Sequence, residues 1–252
     1  MVKDCNIALF VSGEVGAKVL DFLIENYKAD LKAVIFTNET SNIYLELVKT
    51  GKILSDICFF NNDLSRTEIL NKLNDLDYFI LAWWPFIFKE PLISMPRKGI
   101  INFHPSLLPY NRGKNYNFWT IIEECPFGVS LHYIDNTIDG GDILFQKKIS
   151  KNWTDTGGTL YYKAQNEIVK LFCDSYANIR TENFQRRKQN LNEGSFHFEK
   201  EMHSTSKIDL EKTYVAKDLL NLLRAKTFPP HPGIWFEENG IRYELSISIK
   251  QI

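Results

Sequence analysis

The sequence lacks the features that mark several large classes of protein. None of its apolar stretches approaches the roughly 20 residues of a membrane span, so we expect no membrane partner. Lysine and arginine together number 30 against 31 acidic residues. That balance disfavours a protein whose main ligand is nucleic acid, because such proteins normally carry a basic surplus. Internal repeats and low-complexity segments are also missing from the sequence.

Cysteine is scarce and scattered. Cys5, Cys58, Cys125 and Cys173 form no CxxC pair, and no histidine stands near them at metal-ligand spacing. We therefore expect no metal, and we expect buried free thiols in a reducing cytoplasm. The first residues run directly into a strand-like segment without a cleavage-site pattern, so a signal peptide is not expected.

What the 252 residues do contain is ample apolar material, with 44% hydrophobic and 13% aromatic residues. Short apolar runs at 6–11, 31–36, 57–60 and 78–82 predict buried strands, and helical spacing at 15–27, 43–49 and 65–73 separates them. Strands that alternate with helices predict an α/β fold with a Rossmann-like, mostly parallel sheet and helices on both faces. Its ligand crevice should lie at the carboxyl ends of the strands.

Two further strands, at 129–133 and 143–149, and a long helix at 159–179 complete a predicted core of residues 1–185. Polar residues 186–192 mark a boundary, and 186–252 form a small β-rich appendage with a helix at 214–224. Asn239-Gly240 is a preferred hairpin turn between strands at 234–236 and 241–249. The second strand alternates through Ile241, Tyr243, Leu245, Ile247 and Ile249. Because a lone hairpin is marginally stable, this apolar face should pack on the core or on another subunit.

The most informative motifs are INFHPSLLPYNRG, residues 101–113, and DGGDIL, residues 139–144. If 101–104 is a strand, Asn102 and His104 lie on one face. Asp139 offers a carboxylate at a tight glycine turn, with Asp135 and Asp142 as neighbouring alternatives. An amide for an oxyanion, an imidazole for a proton and a carboxylate to orient it suit acyl transfer to an amine.

These residues resemble the active-site signature of the 10-formyltetrahydrofolate-dependent formyltransferases. That signature contains Asn-x-His-Pro-Ser-Leu-Leu-Pro, Arg-Gly, a Gly-Val-Thr-x-His strand and Asp-x-Gly-Asp. The counterparts here begin at Asn102, Arg112, Gly128 and Asp139. The resemblance implies formyl transfer from 10-formyltetrahydrofolate without a metal, with Asn102, His104 and Asp139 as catalytic residues. His132 matches a family position as well, but its place within a strand favours a buried structural histidine.

The sequence RAKTFPPHPG, residues 224–233, looks like a version found in enzymes that formylate nucleotide-linked amino sugars. That likeness implies a dTDP- or GDP-linked amino-dideoxy sugar as acceptor, a homodimer, and a role in lipopolysaccharide O-antigen biosynthesis. Methionyl-tRNA and glycinamide ribonucleotide stay open as acceptors, and a non-catalytic folate-binding protein is a further alternative. Family members commonly have a proline where this chain has Tyr116, which leaves the identity of the acceptor open.

Two sets of binding residues follow from these expectations. For the folate, an aromatic turn and the segment before Asp139 offer apolar surface and backbone groups: Trp83, Trp84, Pro85, Phe86, Ile87, Ile134, Asp135 and Ile138. For the acceptor, a strand end and a polar loop offer phosphate and hydroxyl partners: Ser12, Gly13, Tyr110, Asn111, Arg112, Lys114, Asn115 and Tyr116. His197 and His203 show no partner pattern, and we expect no functional role for either.

Overall fold

A computed structural model of the chain describes residues 5–52 and 55–252. Its strands are β1 (Ile7–Val11), β2 (Leu31–Phe36), β3 (Cys58–Phe60), β4 (Tyr78–Ala82), β5 (Gly99–His104), β6 (Arg112–Gly113), β7 (Gly128–Tyr133), β8 (Ile143–Lys148), β9 (Phe196–His197), β10 (Ile234–Glu238) and β11 (Ile241–Leu245). Its α-helices are α1 (Gly13–Asn26), α2 (Asn42–Thr50), α3 (Thr67–Leu73), α4 (Tyr116–Ile122), α5 (Gly157–Thr181), α6 (Glu199–Ser204) and α7 (Ala216–Lys226).

Seven strands form the central sheet in the order β3-β2-β1-β4-β5-β7-β8. The first five pair in parallel, whereas β7 runs antiparallel to both β5 and β8. All five residues of β1 and of β4 are buried, as expected for parallel strands covered on both faces. The Rossmann-like α/β fold predicted from the alternation of elements is confirmed.

A hydrophobic core lies on each face of this sheet. Helices α1 and α5 cover one face, where Val19 and Phe172 are fully buried. The other face is covered by α3 and by the segment after β4, where Leu73 and Phe88 are buried. Thr156 caps α5, since its hydroxyl accepts a hydrogen bond from the backbone N–H of Thr159. The sheet is therefore held between two apolar layers, which fixes the positions of its strand ends.

The C-terminal helix and antiparallel hairpin predicted from the sequence are also present. Strand β11 ends at Leu245, earlier than the alternation to Ile249 predicts, because its last partner in β10 is Ile234. The residues that precede Ile234 include Pro230 and Pro232, and proline has no N–H to donate to a neighbouring strand. The strand therefore ends where its partner strand begins.

The polar residues 186–192, predicted as a boundary, pair with the central sheet at Ile143. The backbone N–H of Ile143 donates to the carbonyl of Arg187 at 2.8 Å, and the reverse bond is 2.9 Å. Ten residues later β9 pairs in parallel with β6, so that His197 lies opposite Gly113. The division at residue 185 stays a prediction. Within the described ranges, no helix combines the length and hydropathy that a bilayer crossing requires.

Candidate active site

The carboxyl end of β5 carries two of the three expected catalytic side chains. In the antiparallel pairing of β5 with β7, Asn102 lies opposite His132 and His104 opposite Ser130. Residues opposite each other share a face of the sheet. Accordingly, Asn102 Nδ2 lies 3.2 Å from His132 Nε2. The alternation expected from the sequence thus places the amide and the imidazole of β5 side by side.

His132 determines how the Asn102 amide is oriented. The histidine is 1% exposed, and burial lowers its pKa to about 4, so the ring is neutral at physiological pH. Its Nδ1–H donates to the carbonyl of Tyr133 at 2.8 Å, which leaves Nε2 as an acceptor. Asn102 must therefore present its nitrogen to His132, and its second amide hydrogen points to other partners.

His104 lies between two acceptors. Its Nε2 is 3.0 Å from the carbonyl oxygen of Asn111, and its Nδ1 is 3.4 Å from Asp139 Oδ2. A carbonyl and a carboxylate both accept hydrogen bonds, so each ring nitrogen of His104 faces an acceptor. This arrangement suits a group that holds a proton and exchanges it with a substrate.

Asp139 stands in the turn before β8, with φ +52°. Its Oδ2 accepts a hydrogen bond from the backbone N–H of Gly113 at 2.9 Å, and its Oδ1 is 3.6 Å from His132 Nε2. Burial alone would raise the pKa of Asp139, but electrostatic interaction with His104 and His132 and the hydrogen bond from the Gly113 N–H together lower it. The residue is therefore an ionised carboxylate beside the two histidines.

Asp135 and Asp142 do not compete for this position. The Asp135 carboxylate accepts hydrogen bonds from the N–H and hydroxyl of Thr137, within its own turn. The carbonyl of Asp142 accepts from the N–H of Tyr133. Of the three neighbouring aspartates, Asp139 is the one whose carboxylate faces His104.

Asn111 lies inside the protein rather than on an acceptor-facing loop. It is 1% exposed, and its Nδ2 donates to Glu123 Oε2 at 2.8 Å and to Ser195 Oγ at 3.2 Å. The side-chain amide of Asn111 thus donates within the protein, and a contact of this side chain with the acceptor stays a prediction. What it supplies to the site is its backbone carbonyl, which holds His104.

The segment after residue 185 supplies contacts that the sequence reasoning missed. The Gln189 side chain donates to the carbonyls of Asp139 and Gly141, at 2.9 and 2.6 Å, and so fixes the aspartate turn. His197, for which no partner was expected, lies between two carboxylates and stacks on Trp119. The contact of His197 with Glu201 is local, four residues along the chain, whereas the contacts with Glu123 and with the aspartate turn join positions dozens of residues apart and leave no periodic pattern.

The expected folate-binding residues divide between the two faces of the sheet. Trp84 and Ile134 pack against the core cluster that includes Phe10, whereas Trp83 lies edge-on to Tyr161 of α5, on the opposite face. Four more are exposed: Pro85, Phe86, Ile87 and Ile138. Asp135 is exposed as well. The two indoles therefore cannot serve one flat ligand from the same side.

The other expected acceptor residues differ in how far they are exposed. Lys114 is exposed, and Ser12, Tyr110, Arg112 and Asn115 are partly buried. Gly13 is exposed at φ +58°. Tyr116 is 7% exposed, and its ring is parallel to that of Tyr161 at 6.3 Å. Within the described residues its buried hydroxyl has no hydrogen-bond partner.

Groups of three or more histidine, cysteine, aspartate or glutamate side chains placed to hold a metal ion are absent from the described residues. The side chains that meet at the site are an amide, an imidazole and a carboxylate, held by the Asn111 carbonyl and the Gly113 N–H.

Comparison with known families gives matches over most of the chain. The formyl transferase family matches residues 5–175, more than half of the sequence. The N-formyltransferase dimerization C-terminal domain matches residues 201–251.

Among curated proteins, the methionyl-tRNA formyltransferase of Malacoplasma penetrans is 27% identical over 98% of this chain and 78% of its own length. The dTDP-4-amino-4,6-dideoxyglucose formyltransferase of Mycobacterium tuberculosis is 29% identical over 54% of this chain, and the match spans 58% of that protein.

Two solved structures share the fold. A 4-N formyltransferase from Francisella tularensis is 24% identical, with a TM-score of 0.81 and 98% of each chain covered. An N-formyltransferase from Helicobacter canadensis, in complex with folinic acid and dTDP-3-aminofucose, is 21% identical with a TM-score of 0.74 over 93% of this chain and 84% of that one.

Proposed function

Since this chain belongs to the formyl transferase family, we propose that it moves a formyl group from 10-formyltetrahydrofolate to the amine of a nucleotide-linked amino-dideoxy sugar. The observation that carries this proposal is the cluster at the carboxyl end of the sheet. There the Asn102 amide, the His104 imidazole and the Asp139 carboxylate lie together.

Each of the three groups has a part in such a transfer. The amine forms a bond to the formyl carbon, and the bond from that carbon to the folate nitrogen breaks. The formyl oxygen becomes negative in between, and the second amide hydrogen of Asn102 is suited to stabilise it. His104, held between Asn111 and Asp139, is suited to exchange the proton that the amine loses and the folate nitrogen gains. Asp139 keeps the imidazole oriented and balances its charge.

Exposed apolar side chains at the same end of the sheet fit the folate. Phe86 is 46% exposed, Ile87 82% and Ile138 58%. Large apolar groups left open in this way often mark a ligand site. They would hold the flat ring system, and backbone groups of 134–138 would meet its polar edge. Trp83, on the far face with Tyr161, is better placed toward the acceptor.

A sugar nucleotide is the acceptor that the relatives favour. The Helicobacter canadensis structure holds a dTDP-linked amino sugar together with a folate, and a curated relative acts on a dTDP-linked amino-dideoxyglucose. In this chain Arg112 and Lys114 stand on the loop beside Asp139, and their charges suit the pyrophosphate. We therefore propose a dTDP-linked sugar before a GDP-linked one.

We also propose that the protein acts as a homodimer in the cytoplasm. The match to a dimerization domain at 201–251 supports the dimer. Cys5, Cys125 and Cys173 are free thiols, as a reducing compartment favours.

A panel of acceptors incubated with 10-formyltetrahydrofolate, with release of tetrahydrofolate followed, tests the proposal. It should hold dTDP-, GDP- and UDP-linked amino sugars, glycinamide ribonucleotide and methionyl-tRNA. We expect turnover with one dTDP-linked amino-dideoxy sugar. Turnover confined to methionyl-tRNA or to glycinamide ribonucleotide would contradict the sugar assignment and leave formyl transfer standing. Folate binding without turnover of any acceptor would favour a binding protein.

A further inference from the structure

A further histidine, His197, lies near His104 but is separated from it by Asn111 and Glu123. The ring of His197 stacks on Trp119, with centroids 3.9 Å apart and 8° between the planes. Its Nε2 lies 2.7 Å from Glu123 Oε1 and its Nδ1 lies 2.9 Å from Glu201 Oε2. Two carboxylate acceptors require two N–H donors, so this ring carries both protons.

Glu123 connects this histidine to the catalytic site. Its other oxygen, Oε2, accepts hydrogen bonds from Asn111 Nδ2 at 2.8 Å and from Ser195 Oγ at 2.7 Å. Ser195 Oγ in turn accepts from the backbone N–H of Asn111 at 3.1 Å. The Asn111 carbonyl then accepts from His104 Nε2 at 3.0 Å. A continuous set of hydrogen bonds therefore runs from His197 to His104.

The backbone of Asn111 depends on these contacts for its direction. Its φ of +52° lies in the left-handed region, which non-glycine residues occupy only when their surroundings hold them there. Three groups hold it: the Glu123 carboxylate, the Ser195 hydroxyl, and the Cys125 thiol, which donates to Asn111 Oδ1 at 3.1 Å. Glu123 is 28% exposed at its side chain, so without His197 its carboxylate can turn toward water.

We propose that His197, acting through Glu123 and Asn111, is a positioning residue for the His104 imidazole. His197 does not contact His104. It keeps the Asn111 carbonyl directed at His104 Nε2. The inference rests on the proposed function only in that His104 exchanges the proton. It places a residue of the C-terminal part of the chain in the machinery of the reaction.

The variant His197→Phe tests this because it keeps an aromatic ring against Trp119 and removes both N–H donors. We expect kcat to fall about tenfold, with KM for both substrates within about twofold of the parent. In a His104→Ala background the same substitution should leave the residual rate unchanged, because no imidazole is left to position. A general loss of packing would lower the rate in both backgrounds. His203→Phe, at an exposed position of α6, is the matched control and should keep parent kinetics.

A measurement without turnover separates this inference from the proposed function. In ¹⁵N NMR of the unliganded protein, the His104 Nε2 proton should exchange with solvent at least about tenfold faster in His197→Phe than in the parent or in His203→Phe. Faster exchange in a protein that formylates no sugar would uphold the positioning and reject the sugar assignment. Parent exchange and parent kcat in His197→Phe would overturn the positioning. If His197→Phe does not fold, Ser195→Ala gives the same comparison, since its hydroxyl joins Asn111 to Glu123.

Discussion

At the scale of single residues, the Asn102 amide and the His104 imidazole should have the largest effects on rate. We expect Asn102→Ala and His104→Ala each to lower kcat at least about a hundredfold, since one lacks the oxyanion donor and the other the proton carrier. Melting curves should show folded protein in both cases. Steady-state kinetics with the best acceptor of the panel is the measurement, and near-parent turnover in either variant would remove the proposed mechanism.

Asp139 can be tested against a neighbour of the same type. Asp139→Asn keeps the shape of the side chain and loses the charge beside His104, so kcat should again fall about a hundredfold. Asp142→Asn is the control, because the described contact of Asp142 uses its backbone carbonyl and its carboxylate has no hydrogen bond among the described residues. If the two variants react at the same rate, Asp139 does not hold the role assigned to it.

His132 makes stability depend on pH. Its folded pKa is about 4, below the ordinary value of about 6.5. The unfolded chain therefore binds more protons between these values, and stability falls as the pH falls from 6.5 toward 4. From about pH 7.5 to about pH 5.0 the loss should be about 2 kcal/mol. The lowered pKa of Asp139 adds nothing here, since it acts below that group's ordinary value of 3.8.

Urea unfolding at the two pH values measures this loss. In His132→Gln the loss should shrink, although that variant is less stable at both pH values. An unchanged pH dependence in His132→Gln would show that another group is responsible.

At the scale of elements, the ladder between β6 and β9 depends on glycine. Gly113 has φ +86°, and a Cβ there would lie 2.3 Å from the carbonyl oxygen of His197. Gly240 also has a left-handed backbone, at φ +76°, but a Cβ added there would have no atom within 4 Å. Both alanine variants should lose about 1 kcal/mol from the backbone conformation. Only Gly113→Ala should also lose activity, because it separates the strands that hold His104 and Asp139 in place.

Thermal unfolding and kcat of both variants test this. Equal stability and equal turnover in the two would show that the ladder does not support the site.

The elements themselves were largely readable from the sequence. The sequence predicts strands at 31–36 and 78–82 with the bounds that β2 and β4 have, because 78–82 is an uninterrupted apolar run and Lys32 is the one polar residue within 31–36. The spacing of Asn102 and His104 predicted a shared face, since alternation in a strand is a local property. The hairpin was predicted too long because its end is set by a partner strand, which no single segment encodes.

What the sequence could not reveal depends on long-range pairing. His197 meets Glu123 across 74 positions, and the short pairing of β9 with β6 leaves no periodic signal. Trp83 and Trp84 follow each other in the chain and point to opposite faces of the sheet. Because both tryptophans belong to one short aromatic run, the sequence alone assigns them to the same binding site. The side chains proposed as catalytic are therefore predictable from a motif, whereas the contacts that hold them in place require the fold.

At the scale of the whole molecule, the hairpin should determine the oligomeric state. Phe236 stacks on Tyr243 at 5.1 Å on one of its faces, where Tyr243 is 43% and Ile241 55% exposed. Such a face favours a second copy, which would bury it. Light scattering should give twice the chain mass of 29.4 kDa.

Replacing Ile241 and Tyr243 by lysine should yield a folded monomer, since two charges would be buried at the contact. Glu237→Lys lies on the opposite face of the same hairpin and should remain a dimer. A monomeric parent would contradict the dimer, and a dimeric double variant would place the interface elsewhere.

The short ladder between β6 and β9 also bears on how this enzyme could be recombined with its relatives. A chimera joined at the polar stretch near residue 186 would place a foreign strand against Gly113 and a foreign side chain beside Glu123. Such a hybrid would fold and express normally although its His104 imidazole was no longer held in position. A screen for soluble protein would not detect that defect. A crossover placed after Ser204, where α6 ends, transfers the strand together with the site it supports. The exchangeable unit is thus defined by hydrogen bonding between distant segments rather than by where the chain becomes polar.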